Sequence, residues 1–505
     1  MVDSSLHDET IGIVGGGVGG LSAAIHLGAS GADVTIYERG DRVGGVMNRF
    51  ESEGFRFDTG PSWYLIPSVF DRFFERFGHD PSDHFELVRL DPNYRVFWTD
   101  GDRADVPADP KEAMALFETY EPGGGEALRT YLEDAAEAYE IGMNRFVMAN
   151  RSRFRDYLSL DVARSARGLT LLGSMDEHVS TYFEHPKLQQ LVQYTLVFLG
   201  GSPHNTPSLY KLMSHVDFGL GVYYPRGGMY EVIEAMVAIA EEYGVDIRTN
   251  ATVEALEPRD VGIDVSVGHD RHRHDRVISN ASPAYTELEL LPDGVGRGGR
   301  NEWAEKTWGP SAFMCFLGVE GDVDPLEHHT LVLPTDWDSH FASIFDEPDW
   351  PDDPAYYVNV PSQTDPTVAP DGCETVVILV PIAPGLDDGP DRRTTFREQV
   401  LEDLASTTGL DLRDRIRYER TVAVSDFATT FNRPRGTALG LAHTLFQTGP
   451  MRPGHRSPTV DRLYYVGGDT NPGIGVPMCL LSGEHVAEAV RTDVESSGLT
   501  RLMPW

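Results

Sequence analysis

The stretch from Ile11 to Glu38 constrains this chain more than any other. An apolar strand pattern, Ile11-Gly-Ile-Val14, runs into Gly15-Gly16-Gly17-Val18-Gly19-Gly20. A helical pattern follows, and then a second strand, Val34-Thr-Ile-Tyr-Glu38. Each part suits a dinucleotide. Gly15 permits a tight turn, Gly17 lets the backbone approach a pyrophosphate, and Gly20 lets helix and strand pack closely. The helix N-terminus offers free N–H groups and the positive end of its dipole to phosphate. Glu38, eighteen residues after Gly20, stands where a carboxylate accepts hydrogen bonds from a ribose. It would repel a 2′-phosphate, which argues against NADP. The motif alone leaves NAD and FAD open.

The residues that follow begin to separate the two. Arg39-Gly-Asp-Arg42-Val43-Gly44-Gly45 comes next, then Gly54-Phe-Arg-Phe-Asp58-Thr-Gly60-Pro61-Ser62. A second glycine pair and a Gly-Pro turn so soon after the second strand suit a backbone lying along an extended, flat cofactor. Near the C-terminus, Arg462-Leu-Tyr-Tyr-Val466 leads into Gly467-Gly468-Asp469, and Pro472-Gly473-Ile-Gly475-Val476-Pro477 precedes a final helix expected over Ser482–Val494. A short carboxylate after a strand can reach a ribityl hydroxyl or a pyrophosphate. The glycines let a helix dipole approach a flavin and stabilise its reduced, anionic form.

Between these ends the periodicity changes. Residues 105–215 read mostly as helix, with an aromatic-rich part from 150 to 220 containing Tyr157, Tyr182, Phe183, Tyr194, Phe198, Tyr210 and Phe218. From Gly219 to about 295 strand and helix alternate again, and 300–410 is mixed, with Pro/Asp-rich loops. The expected class is therefore α/β with α+β character: a Rossmann-like cofactor domain, discontinuous in sequence, with an inserted substrate domain. The division assigns 9–100, 219–295 and 415–505 to the cofactor domain, and 101–218 and 296–414 to the substrate domain.

Composition limits the partners. The net charge is −37, from 79 acidic and 42 basic residues, and only four of the basic residues are lysines. Such a surface is expected to suit high salt, where dense carboxylates hold water and Debye screening is short-ranged. It argues against nucleic acid and against electrostatic attachment to an anionic membrane. Three scattered cysteines, Cys315, Cys373 and Cys479, form neither a disulfide framework nor a metal-binding spacing. Residues 1–10 show no signal-peptide pattern. No apolar run reaches the ~20 residues that span a bilayer. The expectation is a cytoplasmic protein, soluble or peripheral.

Four segments together resemble the bacterial and archaeal carotenoid (phytoene) desaturase family, within the flavin amine-oxidase-like superfamily. They are Gly15 through Gly45, Gly54 through Trp63, Tyr224-Pro-Arg-Gly-Gly-Met-Tyr230, and Leu463 through Pro477. The resemblance implies non-covalently bound FAD and a long apolar carotenoid drawn from a membrane. It implies that Gly15, Gly17 and Gly20 contact the pyrophosphate and Glu38 the ribose. It places Gly44 and Gly45 near the phosphates, Gly60 near the flavin, and Val253 on the adenine side. Gly468, Asp469 and Val476 fall at the ribityl and flavin. Two positions depart from the family pattern. Val46 stands where many members have arginine, leaving Arg39 or Arg42 to supply that phosphate contact. Met478 stands where the family has glycine, which reshapes the channel near the flavin.

The implied reaction is desaturation, with phytoene-to-lycopene as the leading case. The rivals are a 3,4-desaturase acting on a later carotenoid, a flavin-dependent cis–trans isomerase, and a non-catalytic flavin scaffold. Because the cofactor takes the hydride, no strong base is demanded and no catalytic residue is assigned; for Arg226 a catalytic and a structural role weigh equally. The histidine-rich run Arg271–Asp275 and the pair His328-His329 are read as solvated hairpin tips. The aromatic-rich helical region is expected to line a tunnel and include a membrane-facing surface, with an ordinary core as the alternative. A homo-oligomer stays open.

Overall fold

The computed structural model describes residues 6–150, 173–296 and 299–501. The N-terminal unit is β1 (Thr10–Val14), α1 (Val18–Gly28) and β2 (Asp33–Tyr37). β1 lies at the centre of a five-stranded parallel sheet. Arg276–Ser279 and then Leu463–Tyr465 flank it on one side, and β2 and Asp246–Arg248 on the other. Three stretches far apart in sequence thus form one doubly wound layer. Its strands are near-continuous apolar runs because both faces are covered.

All eleven residues of α1 are buried. It packs against the helices Tyr230–Glu242 and Val476–Arg501. The approach to the last helix is close. Ser22 Oγ donates to the Leu480 carbonyl at 2.7 Å, and a Cβ on Gly483 would lie 2.3 Å from Ser22 Oγ. The two ends of the chain are locked together here. The final helix begins at Val476, six residues before the start its apolar pattern suggests, because Pro477 is tolerated in a first helical turn.

The hairpin β3 (Arg49–Ser52) and β4 (Phe55–Asp58) follows, and then α2 (Pro67–Arg76), which buries Phe70, Phe73 and Phe74 on one face as its spacing predicts. A second, seven-stranded sheet runs Ile416–Val422, Ser311–Glu320, Cys373–Ile382, Tyr356–Asn359, His329–Leu333, Tyr94–Trp98, Arg103–Val106. Two of these strands, Tyr94–Trp98 and Ile416–Val422, lie in stretches that the sequence division gives to the cofactor domain. Backbone pairing places them in the other sheet: Tyr94–Trp98 pairs in parallel with His329–Leu333, a partner over 230 residues away. Local patterning carries no record of such a partner.

Helices Pro110–Tyr120, Gly124–Gly142 and Pro186–Gln193 form the helical insertion. Phe117, Leu128, Tyr131, Phe183 and Leu188 join one buried cluster, so much of this region is core. The part expected to face a membrane includes 151–172, with Tyr157, and these lie outside the described residues. Among the described residues no helix is long and apolar enough to cross a membrane.

Candidate active site

A single cavity of about 1140 Å³ runs between the two sheets and the helical insertion. Its lining has two characters. One end is glycine backbone: Gly15, Gly17, Gly44 and Gly45 from the N-terminal unit, and Gly467, Gly468 and Gly475 from the C-terminal one. The other end is aromatic and aliphatic, with Trp63, Tyr194, Trp337, Phe341, Ile344 and Tyr357.

The glycine end is built at the C-terminal edge of the parallel sheet, where open α/β sheets bind ligands. Gly15 turns the chain at φ +93°. The N-terminus of α1 opens on the cavity at Gly17, with no side-chain cap and no acidic residue in its first turn, which leaves amide N–H groups directed at an anion. The closeness of the walls is measured by what a Cβ would meet. On Gly17 it would lie 2.8 Å from Asn280 Nδ2, and on Gly19 3.0 Å from the Gly467 Cα. Glu38, immediately after β2, is held by the amide N–H groups of Gly16 (2.8 Å) and Gly40 (2.7 Å). An uncapped helix end, a glycine cradle and a fixed carboxylate together fit an adenosine pyrophosphate.

Gly15, Gly17, Glu38, Arg39, Gly44, Gly45, Gly60, Val253, Gly468, Asp469 and Val476 all line this one cavity. Gly20 is absent from the lining. A Cβ there would lie 2.2 Å from the Gly15 carbonyl, so Gly20 holds helix against turn, as its close-packing reading requires. Asp469 is 4 % exposed and accepts from the Leu441 amide (2.8 Å) and Arg433 (3.4 Å). Arg39 and Arg42 both line the cavity beside Val46. Arg39 is tied to Asn432 Oδ1 (3.2 Å) and the Thr430 carbonyl, whereas Arg42, among the described residues, reaches the Arg49 carbonyl (3.4 Å) and Asp41 (3.8 Å). Met478 lies on the wall beside Pro477 in the first turn of the last helix.

The motif around Arg226 is a joint. Arg226 pairs with Glu86 (3.0 Å) and donates to the Thr364 carbonyl, away from the cavity lining. Asp58, ending β4, accepts from the amides of Met229 (2.8 Å) and Tyr230 (3.3 Å) at the start of Tyr230–Glu242. Burial pushes the Asp58 carboxyl up to about 6, against those hydrogen bonds. The second and third segments of the family pattern are therefore one structural contact.

The histidine readings change. His272 lies on the outer strand of the hairpin Ile263–Val267/Asp270–His274, but His274 is buried and bonds the Tyr37 hydroxyl at 2.9 Å. Burial lowers it to about 4. His328 and His329 are buried too. His329 lies within the strand His329–Leu333 and stacks on Trp63, rings 4.1 Å apart and 6° from parallel. Neither is a solvated tip, because His329 opens a strand interior to the second sheet and His328 immediately precedes it.

Sequence reasoning missed Asn280, whose side chain faces Gly17, Gly19 and Gly467. Its signal was present: it follows a strand of the parallel sheet as Glu38 does. It also missed Tyr357 and Arg433, which no local pattern marks.

The flavin containing amine oxidoreductase model matches residues 18–491. The carotenoid 3,4-desaturase of Haloarcula japonica is 57 % identical over 493 residues, covering 97 % of this chain and 100 % of the relative. The zeta-carotene-forming phytoene desaturase of Myxococcus xanthus is 33 % identical, covering 99 % and 97 %. The solved structure of cyclohexylamine oxidase from Brevibacterium oxydans superposes with a TM-score of 0.61 at 15 % identity, covering 97 % and 100 %, and shares the fold. The chain belongs to the flavin containing amine oxidoreductase family, with FAD as its cofactor, and within it to the carotenoid desaturases.

Proposed function

We propose that this protein desaturates a carotenoid at the 3,4 position, a terminal bond of an already conjugated chain. One observation carries the reading: the cradle that fits FAD and an apolar, aromatic wall belong to one cavity. Identity to the 3,4-desaturase, at 57 %, against 33 % to the phytoene desaturase, favours the later substrate.

When bound, FAD supplies a two-electron acceptor for the hydride. Gly15, Gly17, Gly44, Gly45 and Glu38 would hold its adenosine and pyrophosphate, and Gly60, Gly468, Asp469 and Val476 its ribityl and ring. The chain's own task is then to orient a polyene and exclude water. Anaerobic incubation of the FAD-loaded protein with a later carotenoid or with phytoene decides the substrate. A mass loss of two hydrogens per step on the later carotenoid supports the proposal. Consumption of phytoene alone transfers the reading to phytoene desaturation, and unchanged mass with altered geometry points to isomerisation.

Substrate entry from a membrane surface belongs to the same proposal. Phe446 and Met451 are 76 % and 54 % exposed on the consecutive short turns Leu445–Gln447 and Gly449–Met451, and residues 448–451 line the cavity. With so acidic a surface the attachment would be apolar, in a cytoplasm of high salt. Flotation with neutral-lipid vesicles in high salt tests it. A Phe446→Asp/Met451→Asp double variant should stay in the pellet fraction while the wild type floats, and equal behaviour would end the idea.

A further inference from the structure

The desaturase reading accounts for the hydride but leaves the proton. Removing a hydride beside a polyene leaves a delocalised cation, and a proton on the neighbouring carbon must go to some acceptor. At its aromatic end the described cavity wall carries a polar network that reaches a buried imidazole. Tyr357 is half-buried and lines the cavity with Ser62 and Trp63. Its hydroxyl is 2.6 Å from His329 Nδ1 and 2.9 Å from Ser62 Oγ. Ser62 can donate to this hydroxyl, which leaves the Tyr357 proton for His329 Nδ1. This network begins two residues after Gly60, in the segment the family pattern places beside the flavin.

The two histidines that line the wall, His340 and His443, cannot serve. His340 Nδ1 accepts from the Ala355 amide at 2.6 Å, so its Nε2 carries the proton and donates to the Pro381 carbonyl at 2.7 Å. His443 Nε2 accepts from the Ile474 amide at 3.1 Å. Its Nδ1 therefore carries the proton and donates to the Tyr210 hydroxyl at 2.6 Å. His329 is the reverse: fully buried, stacked on Trp63, with Nδ1 turned to Tyr357.

We propose that Tyr357 is the proton acceptor of the desaturation, with His329 as the relay behind it; this rests on the desaturase reading above. As the C–H bond next to the cation breaks, its electron pair becomes the new C=C bond. The proton passes to Tyr357 Oη, and the Tyr357 proton passes to His329 Nδ1. The substrate loses one hydride and one proton; as the product departs, one proton leaves the Tyr357–His329 pair to solvent, and both groups return to their starting protonation. Burial and the neighbouring His328 hold His329 well below the ordinary imidazole range. That makes it a weak base, which suffices for a carbocation and favours release of the proton before the next cycle.

The test uses the FAD-loaded full chain, mixed anaerobically with the carotenoid it turns over while flavin bleaching is followed in H2O and D2O. Tyr357→Phe should slow bleaching by about 100-fold, within the range of general acid–base effects. It should also abolish the solvent isotope effect shown by the wild type. FAD affinity and the visible flavin spectrum should stay unchanged. His329→Gln should show the same pattern more weakly. Bleaching at the wild-type rate in Tyr357→Phe would overturn the assignment. So would a parallel fall of rate and FAD affinity in both variants, since that marks a structural role. No bleaching of the wild type by any carotenoid would overturn the desaturase reading first, and this assignment with it.

Discussion

The two ends of the cavity are built by opposite means. At the nucleotide end the chain contributes what it lacks: glycines without Cβ atoms, a helix start without a cap, and a carboxylate pinned by backbone amides. At the aromatic end it contributes bulk, with Trp63, Tyr194, Tyr357 and the pair Trp337/Phe341 arriving from stretches far apart in the chain. A backbone site depends on a few contiguous residues and fails sharply when any gains volume. A side-chain site is assembled by the tertiary fold and can be altered piece by piece.

The largest expected effect is acid sensitivity, set by His328 and His340 near the aromatic end and by His455, which is buried against Tyr465 of the parallel sheet. Burial lowers His328 to about 3, His340 to about 4 and His455 to about 3. Their native pKa values lie below the unfolded value of 6.5, so near pH 5 the unfolded chain binds the protons that the native state refuses. Stability is then intact above about 6.5 and falls as pH drops toward 4, by about 4 kcal/mol per pH unit for three such groups. Denaturant midpoints between pH 7 and 4.5 measure it. A flat profile would mean that these histidines are hydrated.

The next effect belongs to the nucleotide end. Gly20→Val drives a side chain into the Gly15 carbonyl and should cost about 4 kcal/mol, with loss of FAD retention. Thermal unfolding and FAD titration check it; a variant binding FAD normally would show that turn and helix can separate. The smallest effect should be Trp63→Ala at the aromatic end. It removes the stack on His329, worth about 1.4 kcal/mol, and should slow carotenoid-driven flavin reduction about tenfold. FAD affinity should stay within about twofold, since that change is under 0.5 kcal/mol. Equal losses in both readouts would erase the distinction between the two ends.

Legibility followed the same line. Glu38, the glycine turns and Gly467–Asp469 were readable because each is contiguous and each residue type has one physical reason to be there. The final helix was placed six residues late because Pro477 looks like a boundary when it is a first-turn residue. His329 was misread because two adjacent histidines look solvated until a strand carries them into a sheet. Asp58 passed as part of a turn, although it caps a helix more than 170 residues away.

By itself, then, the amino-acid sequence determined the α/β cofactor unit, the glycine cradle and the acidic, arginine-rich surface, because local periodicity and backbone freedom are properties of neighbours in the chain. Only the tertiary structure decided that Tyr94–Trp98 and Ile416–Val422 join the second sheet, that Arg226 is a joint, and that Ser62 and Tyr357 meet on one cavity wall with His329 behind them. Those outcomes depend on strand pairing and burial between residues up to several hundred positions apart, which no local pattern records.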